Sequence, residues 1–233
     1  MTTVAFIFAR GGSSMQKKNL RSLAGRSLLA RAIEVGTAVK AIDSIIVSTD
    51  DEEIATEARA AGADVPFRRP AALATATAPE WAAWRHAIGW FSERYGADAL
   101  RRFVSLPTTA PLRTAVDVEK CLATFDEGKW DAVVTVRPAE RNPYFNLIVL
   151  DKAGRARLMN EPAGAVHRRQ EAPEIYDMTT VAYVASPDFV LRADSLFAGR
   201  IGAVLIPKQR AVDVDDEWDL LTAEAYLRHS QGH

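Results

Sequence analysis

Short apolar segments alternate along the chain with longer segments in which apolar residues recur every three or four positions. The short segments are rich in Val, Ile and Phe and predict buried strands at residues 4–8, 45–50, 103–106, 132–136, 179–185 and 201–206. The longer segments predict amphipathic helices at residues 27–39, 51–61, 80–95, 115–126 and 216–228. Because strands and helices alternate with short connections, the pattern predicts an α/β fold whose mostly parallel sheet is covered by helices on both faces.

Two stretches interrupt this alternation. Residues 66–79 are rich in Pro, Ala and Thr and predict a long irregular segment, which in a compact domain is usually functional or mobile. Residues 138–173 carry turn residues between short apolar pieces and predict a hairpin with strands at 147–150 and 155–158. We therefore expect residues 1–233 to form a single domain that carries residues 138–173 as an inserted lobe for substrate contact or dimerisation.

The composition limits the partners of this domain. The 233 residues include 29 basic and 30 acidic ones, so the overall charge gives no argument for a nucleic-acid or membrane partner, and any polyanion must be bound locally. The single cysteine, Cys121, rules out an internal disulfide framework and a Cys-based zinc site. The first residues lack the basic and apolar stretches of a leader, and no apolar run approaches the roughly 18 residues of a membrane span. We therefore expect a cytoplasmic protein.

A glycine pair and a basic cluster follow the first predicted strand. Gly11 and Gly12 lack a Cβ atom, so a ligand can approach the backbone and successive N–H groups can converge on a phosphate. Arg10, Lys17 and Lys18 add positive charge at the mouth of this loop. A turn with solvated lysines is the alternative, but the position after the first strand of an α/β chain favours a phosphate site. The glycine spacing matches neither the Walker loop nor the dinucleotide-binding motif.

An acidic motif joins the last predicted strand to the last predicted helix. In an extended segment residues two apart point the same way, so Asp213 and Asp215 project their carboxylates together. Two carboxylates combined with phosphate oxygens are typical of a Mg²⁺ site. Helix capping is the alternative, and it explains Asp215 and Asp216 but not Asp213.

The predicted lobe contains a candidate site for a carboxylate. Arg168, Arg169 and Gln170 are followed closely by Tyr176. Paired loop arginines are usually solvated, but guanidinium groups also match the geometry of a carboxylate. The four histidines have no metal-ligand spacing, and the Gly-x-Ser-x-Gly motif of many hydrolases is missing from the sequence.

Taken together, these motifs resemble those of the acylneuraminate cytidylyltransferases, which make CMP-activated sialic acids and related nine-carbon sugar acids. The shared motifs extend from residue 4 to about residue 228 and so cover nearly the whole chain. They are residues 9–13 with Lys18 and Asn19, 47–55, 69–70 with 73–75, 111–114, 168–170 and 212–215.

The resemblance implies a nucleotidyltransferase with a Rossmann-like α/β/α sheet, working with Mg²⁺ as a homodimer in which the small lobe of one subunit reaches its partner. It implies that CTP is held by Ala9, Arg10, Gly11, Gly12, Ser13, Lys18, Asn19, Arg69 and Thr77. It assigns the Mg²⁺ ion to Asp213 and Asp215, and the catalytic roles to Arg10, Lys18 and Asp213. The sugar acid is expected at Thr108, Arg113, Asn142, Tyr144, Arg168, Arg169, Gln170 and Tyr176.

The sequence departs from the family pattern at several positions. Residues 14–16 read Ser-Met-Gln where the family has a longer segment containing a lysine, so Lys17 or Lys18 must take over the phosphate contact. Ala76 and Leu106 replace a common Asp and a common Gln. Residues 142–146 with 176–178 resemble the branch that acts on legionaminic acid and similar bacterial sugars. The alternatives are a cytidylyltransferase for an eight-carbon 3-deoxy-octulosonate and a non-catalytic nucleotide-binding protein.

Overall fold

The computed structural model describes residues 2–12, 15–160 and 172–231 of the chain. The strands in these residues are β1 Thr2–Phe8, β2 Ser22–Leu23, β3 Arg26–Ser27, β4 Ser44–Ser48, β5 Leu100–Ser105, β6 Ala132–Pro138, β7 Ile148–Leu150, β8 Ala156–Leu158, β9 Tyr176–Ala185 and β10 Ile201–Leu205. The α-helices are α1 Leu28–Ala38, α2 Glu52–Ala60, α3 Glu80–Tyr95, α4 Ala115–Asp126, α5 Pro187–Arg192 and α6 Glu217–Gln231.

The main sheet of the described residues has the strand order β10-β6-β9-β5-β1-β4. Neighbouring strands are parallel except at β9, which runs antiparallel to both β5 and β6. The chain reaches β9 from β6 through the lobe, in whose described residues there is no crossover helix, and a return without such a helix gives antiparallel neighbours. The predicted α/β fold with a mostly parallel sheet is confirmed.

Alternate residues of β1 pack against opposite helical layers. Ala5 and Ile7 lie in one core with residues of α1, α2 and α4. Val4 and Phe6 lie in a second core, with residues of α3 and α5. This alternation buries both faces of β1, as a sheet between two helical layers requires. No helix in the described part of the chain has the length and apolarity to cross a membrane.

The elements differ from the predicted ones in a few places. β5 begins at Leu100 rather than at residue 103, and β9 begins at Tyr176 rather than at residue 179. Helix α5 and the ribbon of β2 and β3 were not predicted, because two to six residues are too few to show a period. Ser186 begins α5 by accepting a hydrogen bond from the N–H of Phe189 at 3.4 Å.

The lobe leaves the sheet at the end of β6 and returns at the start of β9. Within it β7 and β8 form the predicted antiparallel hairpin, with Ile148 opposite Leu158. The carboxyl ends of β1, β4, β5, β6 and β10 all meet at this edge of the sheet. The lobe therefore begins at the edge where open α/β sheets bind their ligands. The assignment of residues 138–173 to a separate lobe of one domain stays a prediction.

Candidate active site

A cleft of about 410 Å³ opens at the edge of the sheet where β1, β5 and β10 end. Its walls bring together seven of the predicted site residues: Arg10, Lys18, Asn19, Arg69, Thr108, Asp213 and Asp215. The other residues that line it are Phe8, Leu73, Thr75, Ala76, Ala78, Glu80, Ala83, Pro107, Thr109 and Thr180. Basic and acidic groups that are far apart in the sequence therefore converge in one concave site.

The glycine loop is held against the end of β4. The Gly11 N–H donates to Asp50 Oδ1 at 3.0 Å. A Cβ atom on Gly11 would lie 2.7 Å from Asp51 Oδ2, whereas one on Gly12 would meet no heavy atom within 4 Å. Asp51 is itself fixed, because its Oδ1 caps α2 by accepting from two backbone N–H groups at 2.8 and 3.1 Å. The close approach of these two loops requires the glycine at position 11.

The segment in which the sequence departs from the family has a structural role. Met15 is only 7% exposed and lies in a buried cluster with Leu28 and Val214. Since Val214 separates Asp213 from Asp215, this contact joins the glycine loop to the acidic motif. Ser13, a predicted CTP contact, lies outside the described residues.

The side chains of the two lysines that follow the glycine loop point to different partners. Lys18 lines the cleft, its side chain is 13% exposed, and its Nζ lies 3.0 Å from Asp215 Oδ1. Lys17, which has a left-handed backbone with φ of 53°, instead pairs with Glu53 of α2 at 2.7 Å. The hydrogen bond and charge of Glu53 raise the pKa of Lys17. Of the two candidates for the phosphate contact, Lys18 is the one in the cleft.

Asn19 and Thr108 bind each other across the floor of the cleft. Thr108 Oγ1 donates to Asn19 Oδ1 at 2.6 Å, and Asn19 Nδ2 donates to the carbonyl oxygen of Arg10 at 2.9 Å. Both side chains are buried, with 6% and 3% exposure for Asn19 and Thr108. Both were predicted to touch ligands, which stays a prediction; the geometry shows them fixing the glycine loop on the end of β5.

Arg69 is anchored at the end of β4. Its Nε donates to Ser48 Oγ at 3.0 Å, its Nη2 donates to the Ser48 carbonyl oxygen, and its guanidinium carbon lies 5.6 Å from the ring centre of Phe8. Burial lowers the pKa of Arg69 to about 10, while the charges of Asp50 and Glu80 oppose that change. The guanidinium group is therefore a fixed, positively charged part of the cleft wall.

The acidic motif presents two carboxylates to the cleft, as predicted. Val214 is fully buried and its N–H donates to the carbonyl oxygen of Thr109 at 2.8 Å. On either side of it, Asp213 and Asp215 line the cleft. Asp213 Oδ1 accepts a hydrogen bond from Thr180 Oγ1 at 3.0 Å, and Thr109 Oγ1 lies 3.2 Å from the same hydroxyl. Two threonine hydroxyls thus orient the first carboxylate.

Asp216, the residue after Asp215, caps helix α6. Asp216 Oδ1 accepts hydrogen bonds from the N–H groups of Trp218 and Asp219 at 2.8 and 3.0 Å. Asp219 Oδ2 accepts in return from the N–H groups of Asp215 and Asp216. The cap thus uses the carboxylates of Asp216 and Asp219, and the carboxylate of Asp215 faces Lys18 instead.

The donor set at Asp213 and Asp215 fits a hard cation. Both residues are exposed toward the cleft and supply oxygen atoms, and Mg²⁺ is usually bound by one or two carboxylates with substrate phosphates completing its shell. Across the described ranges, no group of three or more His, Cys, Asp or Glu side chains could hold a metal ion. A divalent ion at this motif therefore needs oxygens from a bound nucleotide or from water.

Arg113, a predicted sugar contact, lies beneath the cleft wall rather than in it. It is 4% exposed, and its Nε donates to the carbonyl oxygen of Ala110 at 2.9 Å. Its Nη1 and Nη2 have no hydrogen-bond partner among the described residues. Burial lowers the pKa of Arg113 to about 9, against the charges of Asp117 and Asp213. Its position suits electrostatic support of the acidic motif more than direct contact with a ligand.

The other predicted residues lie away from the described cleft walls. Ala9 is buried in the core, and Thr77 is exposed while its neighbours Thr75, Ala76 and Ala78 line the cleft. In the lobe, Asn142 Oδ1 accepts from the Tyr144 N–H at 2.9 Å, and the Tyr176 hydroxyl lies 3.0 Å from a Glu174 carboxylate oxygen. Arg168, Arg169 and Gln170 lie outside the described residues.

Four polar residues that line the described cleft walls were not among the predicted site residues: Thr75, Glu80, Thr109 and Thr180. Thr109 and Thr180 support Asp213, and Glu80 stands in the opposite helical wall. An acid at the start of a helix is expected for the helix dipole alone, so Glu80 gave no separate signal. Thr109 and Thr180 gave a weak signal, since polar residues at the ends of buried strands often mark a site.

The fold and this cleft point to a nucleotidyltransferase, because Arg10 of the glycine loop and the carboxylates of Asp213 and Asp215 line the same cleft. The sequence profile of the family described as "Cytidylyltransferase" matches residues 4–78, which include the glycine loop and Arg69. A solved structure of a CMP-2-keto-3-deoxy-manno-octonic acid synthetase complexed with CTP superposes with a TM-score of 0.69, covering 99% of this chain and 100% of that chain. Its sequence identity is 16%, so this likeness concerns the fold.

Two curated relatives cover almost the whole chain. A Campylobacter coli protein, "Post-translational flagellin modification protein B", is 35% identical over 223 residues, which are 95% of this chain and 93% of that protein. The "CMP-N,N'-diacetyllegionaminic acid synthase" of Campylobacter jejuni is 33% identical over 219 residues, 94% of this chain and 92% of that enzyme. The chain therefore belongs to the acylneuraminate cytidylyltransferase family.

Proposed function

We propose that this protein transfers CMP from CTP to the anomeric hydroxyl of a nonulosonic acid and releases pyrophosphate. The observation that carries the proposal is the convergence of Arg10, Lys18 and the carboxylates of Asp213 and Asp215 in one cleft. A site that combines basic groups with carboxylates for a cation suits a nucleoside triphosphate. Membership of the cytidylyltransferase family supports CTP as that nucleotide.

The reaction exchanges one phosphorus–oxygen bond for another. The anomeric oxygen of the sugar acid bonds to the α-phosphorus of CTP as the bond from that phosphorus to the bridging oxygen breaks. Pyrophosphate leaves, and the hydroxyl proton passes to water or to a base. Such transfers depend on positioning and charge neutralisation more than on covalent chemistry. Arg10 and Lys18 neutralise the triphosphate, and Arg69 holds the nucleoside end.

Mg²⁺ is part of this proposal, with Asp213 and Asp215 as its ligands. When bound, the ion would neutralise charge on the phosphates as the transfer proceeds. The hydroxyl of Thr180 holds Asp213 in a fixed orientation through the 3.0 Å hydrogen bond. A carboxylate oriented in advance loses less conformational entropy when it binds an ion.

Legionaminic acid or a close analogue is the proposed sugar. The relative named for N,N'-diacetyllegionaminic acid is 33% identical, while relatives named for N-acylneuraminate and pseudaminic acid are each 25% identical. The lobe segment that begins at Asn142 resembles the legionaminic branch. Arg168, Arg169 and Gln170 of the lobe, together with Tyr176 at the start of β9, remain our candidates for binding the sugar acid.

A panel of sugar acids tests the proposed function. The protein is mixed with CTP, Mg²⁺ and one of four acids of the legionaminic, sialic, pseudaminic or 3-deoxy-octulosonate type, and pyrophosphate release is measured. We expect the highest kcat/KM with the legionaminic type. Release with the octulosonate alone would contradict the proposed sugar class. CTP binding without release for any acid would support a non-catalytic nucleotide-binding protein instead.

We also propose that the enzyme works as a cytoplasmic homodimer. Apolar side chains are exposed on the lobe and on the outer end of β9; they belong to Phe145, Leu147, Ile148, Leu150, Met159, Tyr176 and Met178. Clustered exposed apolar residues commonly mark a protein interface. The single cysteine, Cys121, is buried and unbonded, which suits a reducing compartment.

A further inference from the structure

Glu80 is an acidic residue in a cleft whose proposed ligand is a polyanion, and the transfer mechanism gives it no role. It is the first residue of α3 and lines the cleft. Its Oε1 accepts a hydrogen bond from the indole N–H of Trp84 at 3.1 Å. Its Oε2 has no hydrogen-bond donor among the described residues. A fixed carboxylate thus keeps one acceptor open toward the ligand space.

Arg69 provides a donor on the same side of the cleft. Its Nε and Nη2 are bound to Ser48, and its Nη1 makes no hydrogen bond within the described part of the chain. The charges of Arg69 and Glu80 stabilise each other, so the two groups lie within electrostatic reach. The cleft therefore offers one open donor, from Arg69, and one open acceptor, from Glu80.

The surroundings of this pair suit a flat, uncharged ring. The neighbouring wall is lined by Leu73, Ala78 and Ala83, and the ring of Phe8 lies beside the Arg69 guanidinium group. Arg10, Lys18 and the acidic motif, which suit phosphates and a cation, come from other loops. Water reaches Glu80 from the cleft, but the concave wall encloses its carboxyl group. This desolvation raises the pKa of Glu80 despite the opposing effects of Trp84 and Arg69.

We propose that Glu80 selects cytosine by accepting a hydrogen bond from its exocyclic amino group, while Arg69 donates to the ring carbonyl oxygen. Cytosine carries an amino donor at the position where uracil carries a carbonyl acceptor. The carboxylate of Glu80 attracts the first group and repels the second, so the pair discriminates CTP from UTP. The inference deepens the proposed function, on which its choice of nucleotide rests.

The test compares nucleotide selectivity in two matched variants of the full-length protein. Glu80→Gln keeps the size of the side chain and an Oε1 acceptor for Trp84, but its amide can also donate to the uracil carbonyl. Glu93→Gln makes the same chemical change at an exposed position of the same helix. Dissociation constants for CTP and UTP are measured by calorimetry with Mg²⁺ and without a sugar acid, and kcat/KM is then measured with the preferred sugar.

We expect Glu80→Gln to reduce the preference for CTP over UTP at least about tenfold, because one hydrogen-bonding contact to a base edge contributes about that much discrimination. Glu93→Gln should leave the preference unchanged. Glu80→Ala, which removes the acceptor altogether, should also lose the preference, and thermal unfolding checks that both variants are folded. A preference within twofold of the original in Glu80→Gln would overturn the proposal. An equal loss of affinity for both nucleotides would also overturn it, because it would indicate contact with the ribose or phosphates. Because the dissociation constants are measured without a sugar acid, they test this proposal even if the protein does not transfer CMP.

Discussion

At the scale of single residues, the two adjacent lysines after the glycine loop differ in their surroundings. Lys18 faces Asp215 inside the cleft, and Lys17 faces Glu53 outside it. The exposed pair of Lys17 is worth little to stability, since both side chains are more than half exposed. The partly buried ammonium of Lys18 has a much stronger effect on a bound anion.

The first prediction concerns this difference. Lys18→Gln should lower kcat/KM for CTP about a hundredfold, because it removes a preorganised positive charge from the triphosphate site. Lys17→Gln makes the same chemical change one residue away, and its kcat/KM for CTP should stay within about twofold of that of the unmodified protein. Steady-state pyrophosphate release with varied CTP measures both values. Equal losses in the two variants would mean that net loop charge matters, and not the position of Lys18.

Residues with a local signature could be predicted, and residues that act through distant contacts could not. Arg10 and Lys18 lie in the loop after β1, and the two carboxylates lie in the loop between β10 and α6, so their neighbours in the sequence indicate their place at the sheet edge. Thr180 became part of the site because β9 runs antiparallel and brings its first half to the cleft. Arg113 follows a similar strand end, yet it is turned into the protein interior. Side-chain direction in an irregular loop is not set by any sequence period.

At the scale of elements, the glycine loop depends on its contact with the loop after β4. The second prediction is that Gly11→Ala lowers the free energy of unfolding by about 1–3 kcal/mol, because the new Cβ would overlap a carboxylate that caps α2. Gly12→Ala should change it by less than about 0.5 kcal/mol, since the added Cβ meets open space. Urea unfolding of the two variants gives both values. Equal stability would contradict the described packing of the two loops.

The main helices and strands were predictable because their periods are long and regular. Helix α3 begins and ends where its apolar spacing predicted, and so does α4. The direction of β9 was not predictable from its composition, because buried parallel and antiparallel strands have similar apolar runs. It follows from the connection instead: the 37 residues between β6 and β9 hold a hairpin and no described crossover helix.

At the scale of the whole molecule, the exposed apolar surface of the lobe predicts self-association. The third prediction is that the protein has about twice its chain mass of 25.5 kDa in light scattering after size-exclusion chromatography. Leu150→Glu, at a position that is 66% exposed on β7, should shift the mass to that of a single chain. Val116→Glu, at a position that is 52% exposed on α4, serves as the matched control and should leave the mass unchanged. A single-chain mass for the unmodified protein would contradict the dimer.

The central claim is that the acidic motif and the glycine loop form one metal-assisted site for CMP transfer. The most direct test is the rate of pyrophosphate release against Mg²⁺ concentration in Asp213→Asn and in Asp216→Asn, which lies in the same segment but caps α6. We predict that Asp213→Asn lowers turnover at least about a hundredfold and raises the Mg²⁺ requirement. Asp216→Asn should leave the turnover and the Mg²⁺ requirement near those of the unmodified protein, because Asn also caps helices well. Near-normal turnover in Asp213→Asn would contradict the account.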